Sequence, residues 1–472
     1  MSKNNNQVFT PTEVATQMLD EVGYTTNLNG KKILENSCGD GQILEIIIMR
    51  YVQDCLTRSM NIHDIQKGLG EDITAYETDE TLYMQCMKRI TRAAETFGIH
   101  DVKWRLYLQD YLLCEHQPQY DYIVGNPPYI SHGVMPESIR TSVKSKYETC
   151  QTGSFDYCFA FIEASLNDLQ TGGQMAYIIP GSIFKTRAAK DLRERMLPHI
   201  KEIFDYASVR LFDDVLTSSA IIFLENDSNL PDFTYRKAGT NNSLVVRKSE
   251  LASKWFFYHN EPLKQSKRFG DDYQVATVIA TQANKVFVIS EYHDAGECIE
   301  TEGFYLEKGV LKRAFSPRLM NTGKEEYIIF PYSYGENGLQ RFSEEEFCNQ
   351  YPETARYLKH HHEKLTKRKA DKDALWFEYG RTQALAHLNQ PKLMTSTVFT
   401  KRMKAHLLGR DDIPYSGLYI VPKGSLSLEH AKAILESDMF AKHISICGLH
   451  VSGQSMRLVA EDILNYHYNP GD

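Results

Sequence analysis

Between Lys32 and Leu224, short apolar runs alternate with longer segments whose apolar residues recur every three to four positions. The short runs predict strands at Ile33–Leu34, Ile73–Asp79, Val102–Leu108, Tyr122–Val124, Met175–Ile179, Ile203–Ala207 and Ser219–Leu224. The periodic segments predict helices after Pro11, from Gln42 to about Tyr51, from Glu80 to about Phe97, and from Ser154 to a stop at Thr171-Gly172-Gly173. Thr10 before Pro11 reads as a cap with proline in the first helical position. Strands alternating with helices predict an α/β fold with a doubly wound, mostly parallel sheet. From about Pro231 the alternation fades. The expected organisation is therefore a domain over residues 1–230 and a second, mixed α+β domain over 231–472. In that second part, 269–289 reads as loop and strand, 351–369 as a basic helical stretch, and 426–446 as helical with Ser427 as cap.

At 472 residues the chain is too long for one ordinary domain. A net charge of −8 excludes a uniformly basic coat but leaves room for a local basic face. Nine scattered cysteines without a CxxC pair fit free thiols in a reducing cytoplasm and argue against a zinc site. No apolar run reaches membrane-spanning length, and the first residues lack a signal-peptide core. These features point to a cytoplasmic protein with no membrane partner and no metal.

The chemistry concentrates where strands end. Glu35 precedes a turn containing Gly39 and Gly41, where a ligand can approach the backbone closely, and a carboxylate there suits a cationic amino group. Glu77 ends the second strand, the usual place for a partner of ribose hydroxyls, with Asp79 reading as a helix cap. Asp110 follows the third strand and can accept a hydrogen bond from an adenine amino group. The fourth strand runs into Asn126-Pro127-Pro128-Tyr129. Proline fixes φ, lacks an N–H, and pushes its predecessor to extended geometry. The turn therefore offers the Asn126 side-chain oxygen and the Pro127 carbonyl to the two protons of a flat ring amine, with Tyr129 placed to stack on the ring. Taken alone, the same four residues also describe an ordinary strand-ending turn. Three acids on successive tips at the carboxyl edge of one sheet are more specific than any one of them.

In the order Phe9-Thr10-Pro11, Glu35-x-x-Cys38-Gly39-x-Gly41, Glu77, Asp110, Asn126-Pro127-Pro128-Tyr129, the chain resembles the gamma-type DNA amino-methyltransferases that act on N6 of adenine. This resemblance, to type II restriction-modification enzymes, is strongest over residues 8–225. It implies a class I S-adenosylmethionine-dependent fold with S-adenosylhomocysteine as product. Thr10, Cys38 and the Gly39–Gly41 loop would hold the methionine part beside Glu35, Glu77 the ribose, and Asp110 the adenine. Asn126 and Tyr129 would hold the target base. The second aromatic against that base maps to Phe212, although Asp213 stands where the family has proline, and Phe212 also fits a core position. The extended region over residues 53–70 has no counterpart role. The C-terminal half resembles the family's target-recognition region, in which Lys364, Lys367, Arg368 and Lys369 are candidate phosphate contacts; each alone also fits a solvated face. His360-His361-His362 reads as surface. The expected partner is double-stranded DNA, bound by a monomer, with or without a cognate restriction endonuclease.

C5-cytosine methylation is disfavoured, because no Pro-Cys dipeptide supplies the attacking thiol. Other readings remain: N-methylation of protein glutamine amides or RNA, a non-catalytic DNA-recognition subunit, a pocket for another nucleotide, and a nuclease–methyltransferase fusion. The amide reading leaves so long a C-terminal region unexplained, and a binding subunit needs neither Asn126 nor the acidic tips. For the fusion, no nuclease motif appears and the methyltransferase pattern starts almost at residue 1.

Overall fold

A computed structural model of the chain describes residues 10–115, 117, 119–206, 219–240, 243–251, 254–257, 266–336, 338–452 and 455–469. Two compact units divide at His259 and Asn260.

The first unit is built on one nine-stranded sheet. In chain order its main elements are α1 (Thr12–Glu21), β1 (Ile33–Glu35), α2 (Gln42–Thr57), α3 (Ile62–Asp72), β2 (Ile73–Glu77), α4 (Glu80–Glu95), β3 (Arg105–Leu108), β4 (Tyr120–Gly125), α5 (Glu137–Lys146), α6 (Tyr157–Asp168), β5 (Leu169–Pro180), α7 (Lys190–Met196), β6 (Ile200–Asp205), β7 (Ser219–Glu225), β8 (Asp232–Lys237) and β9 (Ser243–Arg247). The strand order is β3-β2-β1-β4-β5-β7-β6-β8-β9. The first five in that order run parallel, and β7 is antiparallel to both β5 and β6. Side chains alternate across a strand, so each face acquires its own core. Leu34, Ile123, Tyr177 and Ile179 join the core with α6 and α7, whereas Ile33, Val124, Ala176 and Ile178 join the core with α1, α2 and α4. This is the doubly wound arrangement. The order reverses between β1 and β4, and the crevice outside their carboxyl ends is where such sheets take ligands.

Several local expectations change. Pro11 is the cap residue of α1, with φ −56° and ψ 145°, and no side chain caps the helix. The extended ψ starts the helix at Thr12, and the Pro11 carbonyl accepts from the Val14 and Ala15 amides, so Thr10 is not the cap. The strand β5 already begins at Leu169, and Gly172 takes a positive φ inside it, so 171–173 does not end α6. The sheet also continues past 230, because β8 pairs with β6 and β9 with β8. The unassigned region 53–70 forms the end of α2 and most of α3. Asp72 then closes α3 onto the base of the sheet, accepting from Gly30 N (2.7 Å) and the Tyr51 hydroxyl (2.6 Å). That end is opposite the strand tips, so α3 is a brace rather than a wall of the crevice.

The second unit is mixed α+β. It holds a four-stranded antiparallel sheet (Tyr273–Thr277, Lys392–Thr395, Ala405–Leu408, Leu418–Pro422) and smaller sheets and hairpins. The basic stretch splits into Pro352–His360 and His362–Thr366. His361 lies at the break and is buried against the Tyr357 ring, not on the surface. Ser427 caps Leu428–Glu436 by accepting from His430 N. Glu378 is fully buried in the aromatic core and accepts from Arg341 Nε at 2.7 Å and Nη2 at 2.5 Å. Arg341→Met removes both guanidinium donors and leaves the buried carboxylate with only the Leu375 amide (2.8 Å) and no countercharge. It is expected to cost about 1–3 kcal/mol, read as a lower denaturant midpoint for this unit.

Candidate active site at the carboxyl edge of the sheet

Glu35 and Glu77 are the last residues of β1 and β2, Asp110 lies just past β3, and Asn126 follows β4. All four belong to adjacent parallel strands, so one edge brings them together.

The turn from β1 to α2 is shaped for close approach. Gly39 and Gly41 have φ of 55° and 87°, where a side chain is strained. A Cβ on Gly41 would stand 2.8 Å from Cys86 Sγ. Arg89 of α4 clamps the turn, donating to the Asp40 carbonyl (2.9 Å), the Asp40 carboxylate (2.7 Å) and Glu45 (2.9 Å). The Cys38 thiol is buried 3.7 Å from Cys86 Sγ, and this contact and burial push its pKa well up. The Cys38 amide donates to the Tyr76 carbonyl (3.0 Å) and its carbonyl accepts from Gly41 N (2.9 Å), so Cys38 serves the shape of the turn.

The two glutamates differ. Glu77 is already held: Oε1 accepts from the Thr78 and Asp79 amides (2.7 and 2.8 Å), and Oε2 from Gly39 N (2.9 Å). Three amides fix its orientation, and Oε2 retains capacity for a hydroxyl donor. Glu35 is only 2% exposed, and its Oε2 has no partner. Burial pushes its pKa well above the carboxylate range, reinforced by Cys86, Asp40 and Glu77. A buried acceptor without a donor is costly unless a ligand completes it. An ammonium group fits that vacancy by charge and by donor count. Asp110 accepts from Leu112 N (3.0 Å) and the Tyr157 hydroxyl (2.8 Å), so its carboxylate is fixed at the tip.

The Asn126 turn carries internal order. The Tyr129 hydroxyl donates to Asn126 Oδ1 (2.8 Å), and Ser37 Oγ donates to the Asn126 carbonyl (3.3 Å), tying β4 to the β1 turn. Pro127 is buried, while Asn126, Pro128 and Tyr129 stay partly open. Burial holds the Tyr129 phenol protonated, with its pKa well above the usual value. Beneath the turn lies a closed polar ring absent from the sequence-based expectations. Tyr177 Oη donates to Asn36 Oδ1 (2.7 Å), Asn36 Nδ2 donates to Ser165 Oγ (2.9 Å), and Ser165 Oγ lies 2.7 Å from Tyr177 Oη. No signal in the sequence joins Asn36, in a polar turn, to Ser165 and Tyr177 in mostly apolar segments.

Thr10 is buried at the start of α1, which packs on α2 and β5. Phe212 lies outside the described residues. Lys364, Lys367 and Lys369 are exposed, and Lys367 pairs with Glu363 one helical turn away. Arg368 turns inward: Nη2 donates to the Leu375 and Trp376 carbonyls (3.2 and 3.0 Å), and the guanidinium lies 5.5 Å from the Phe287 ring. Burial lowers its pKa. Those contacts serve the interior of the second unit, not a phosphate. No cluster of metal-ligating side chains occurs among the described residues, and no helix among them is long and apolar enough to cross a membrane.

Comparison with known proteins agrees with this geometry. Residues 52–212 match the model of the Eco57I restriction-modification methylase family. The chain is 22% identical to the type II methyltransferase M.BstVI of Geobacillus stearothermophilus, over 96% of this chain and 88% of that protein. It is 29% identical to the type II methyltransferase M.PaeR7I of Pseudomonas aeruginosa, over 47% of this chain but only 40% of that protein. In fold it is similar to the DNA-bound type IIL restriction-modification enzyme MmeI, with a TM-score of 0.58 at 11% identity, covering 96% of this chain and 64% of that one. With acids on three strand tips ahead of the Asn126 turn, the chain is similar to type II restriction-modification methyltransferases.

Proposed function

We propose that this chain transfers a methyl group from S-adenosylmethionine to N6 of an adenine turned out of double-stranded DNA. The observation that carries the reading is the Asn126-Pro127-Pro128-Tyr129 turn, held at the sheet's switch point near Glu35, whose Oε2 has no hydrogen-bond partner. S-adenosylmethionine, when bound, supplies an electrophilic sulfonium methyl and leaves as S-adenosylhomocysteine. Glu35 would pair with its ammonium group, Glu77 Oε2 would accept from a ribose hydroxyl, and Asp110 would accept from the adenine amine. The Gly39–Gly41 backbone and Thr10 border the methionine part.

The acceptor nitrogen is a poor nucleophile because its lone pair is delocalised into the ring. Asn126 Oδ1 and the Pro127 carbonyl each accept one N6 proton. Holding both N–H groups by hydrogen bonds localises the pair on the nitrogen. A bound S-adenosylmethionine would supply the methyl group to that pair, and the surplus N6 proton would pass to solvent. Positioning and fixed dipoles supply most of the gain. Extruding the base costs a few kcal/mol, and stacking on Tyr129 returns about 1–3 kcal/mol. The second unit reads the DNA target, with Lys364, Lys367 and Lys369 available to phosphates and Arg368 left to its structural contacts.

Labelled methyl transfer to DNA, followed by nucleoside analysis, tests the reaction. N6-methyldeoxyadenosine is expected; N4-methyldeoxycytidine would overturn the adenine assignment, and label confined to protein or RNA would overturn DNA as substrate. The Tyr129 hydroxyl has its own signature. Tyr129→Phe keeps the stacking face but removes one hydrogen bond from Asn126 Oδ1. A drop in kcat of about 5- to 10-fold is expected, equivalent to one hydrogen bond, with an unchanged KM for the cofactor. Equal kcat in variant and wild type would remove that role.

A further inference from the structure

We infer that Asn36, Ser165 and Tyr177 are positioning residues that set the Asn126 turn against the cofactor-side tips. The inference rests on the methyl-transfer reading above for its kinetic consequence, but not for its structural one. The three side chains are 2%, 0% and 0% exposed and come from three separate elements: the turn after β1, α6 and β5. Their protons circulate in one direction, Tyr177 to Asn36 to Ser165 and back to Tyr177. Each group donates once and accepts once, so removing any member leaves two buried partners incomplete.

The location of the ring makes it more than a polar plug. Asn36 directly follows Glu35, and successive side chains there point to opposite faces. Gly125, directly before Asn126, lies over the ring: a Cβ there would stand 3.3 Å from the Tyr177 ring and 3.6 Å from Asn36 Oδ1. The backbone of β4 thus rests on the ring in close contact at the point where the motif begins. Beside Ser165 lies the Tyr111 phenol, which donates to Asp168 Oδ2 at 2.6 Å. Tyr111 directly follows Asp110. One hydrogen-bonded core therefore touches the neighbours of Glu35, Asp110 and Asn126, the three groups whose relative height decides whether amine and methyl meet.

Tyr177→Phe and Ser165→Ala, singly and together, test this in the full-length chain. Both keep the backbone and most of the packing. The cofactor dissociation constant is expected to stay within about twofold, while kcat falls about 10- to 100-fold, as befits an acceptor displaced by a fraction of an ångström. Amide hydrogen exchange of 125–130 should quicken at least severalfold while that of α2 does not. Because both substitutions open the same ring, the double variant should be little worse than the worse single one. A lowered melting temperature with kcat and exchange at 125–130 unchanged would reduce the ring to a stability device and overturn the proposal; so would fully multiplicative kinetic effects. If wild-type protein methylates no DNA, the exchange experiment still decides the positioning claim, and only the reading of the reaction fails.

Discussion

Asn126→Ala is expected to bind S-adenosylmethionine like the wild type and to lose turnover by about 10²–10³-fold, the scale seen when one preorganised polar group is taken from a developing charge. The prediction follows from where the side chain stands. Asn126 lies beyond β4, fixed through Ser37 and Tyr129, whereas the cofactor-side acceptors belong to β1, β2 and the turn after β3. Cutting the amide removes an acceptor for the target amine and nothing that Glu35 or Glu77 needs. Calorimetric cofactor binding and single-turnover methylation, measured on the same preparation, separate the two. Weakened cofactor binding with intact turnover would place Asn126 on the wrong substrate.

The second large effect concerns Glu35. An ammonium ligand needs the ionised carboxylate, while burial and neighbouring negative groups keep it protonated above the usual range. Cofactor affinity should therefore rise with pH as Glu35 ionises, and binding below its folded pKa should release a proton. Heats of binding in buffers of different ionisation enthalpy detect that release. Glu35→Gln removes the charge and is expected to weaken binding about 10²-fold, the scale of a charge-assisted hydrogen bond lost in a buried site. The sign for stability is opposite. A carboxyl whose folded pKa is raised favours the folded state below its unfolded pKa, and that contribution is lost as pH rises through the folded value. Without cofactor, Glu35→Gln should therefore melt higher than wild type at alkaline pH and lose the advantage in acid. A pH-independent affinity, with no proton release, would exclude Glu35 as the ammonium partner.

The sheet and its acidic tips were legible because each acid interrupts an apolar run at its end. Glu35 after Ile33-Leu34 and Glu77 after Ile73–Tyr76 are such breaks in a period-two or continuous pattern, and the structure puts both at strand ends. The strands β8 and β9 were not legible. Polar and charged residues such as Thr234 and Arg236 separate Phe233 and Tyr235 in β8, the strand next to the edge, and β9 at the edge is mostly exposed. The ring of Asn36, Ser165 and Tyr177 was invisible for a different reason. Its members are 129 and 12 residues apart along the chain, and a tyrosine inside Met175–Ile179 reads as plain core until β1, α6 and β5 are brought together. Arg368 misled in the opposite direction. In sequence it is one of four cations in a basic stretch, but the break at His361 and the nearby Phe287 ring turn it inward.

The account rests on the Asn126 turn acting on a base in DNA. The direct test expresses the full chain in a host free of DNA methylation and maps modified bases across its genome by single-molecule sequencing, beside Asn126→Ala. The account predicts N6-methyladenine at one recurring sequence in the first strain and none in the second. An unmodified genome in cells containing folded, cofactor-binding protein would contradict it.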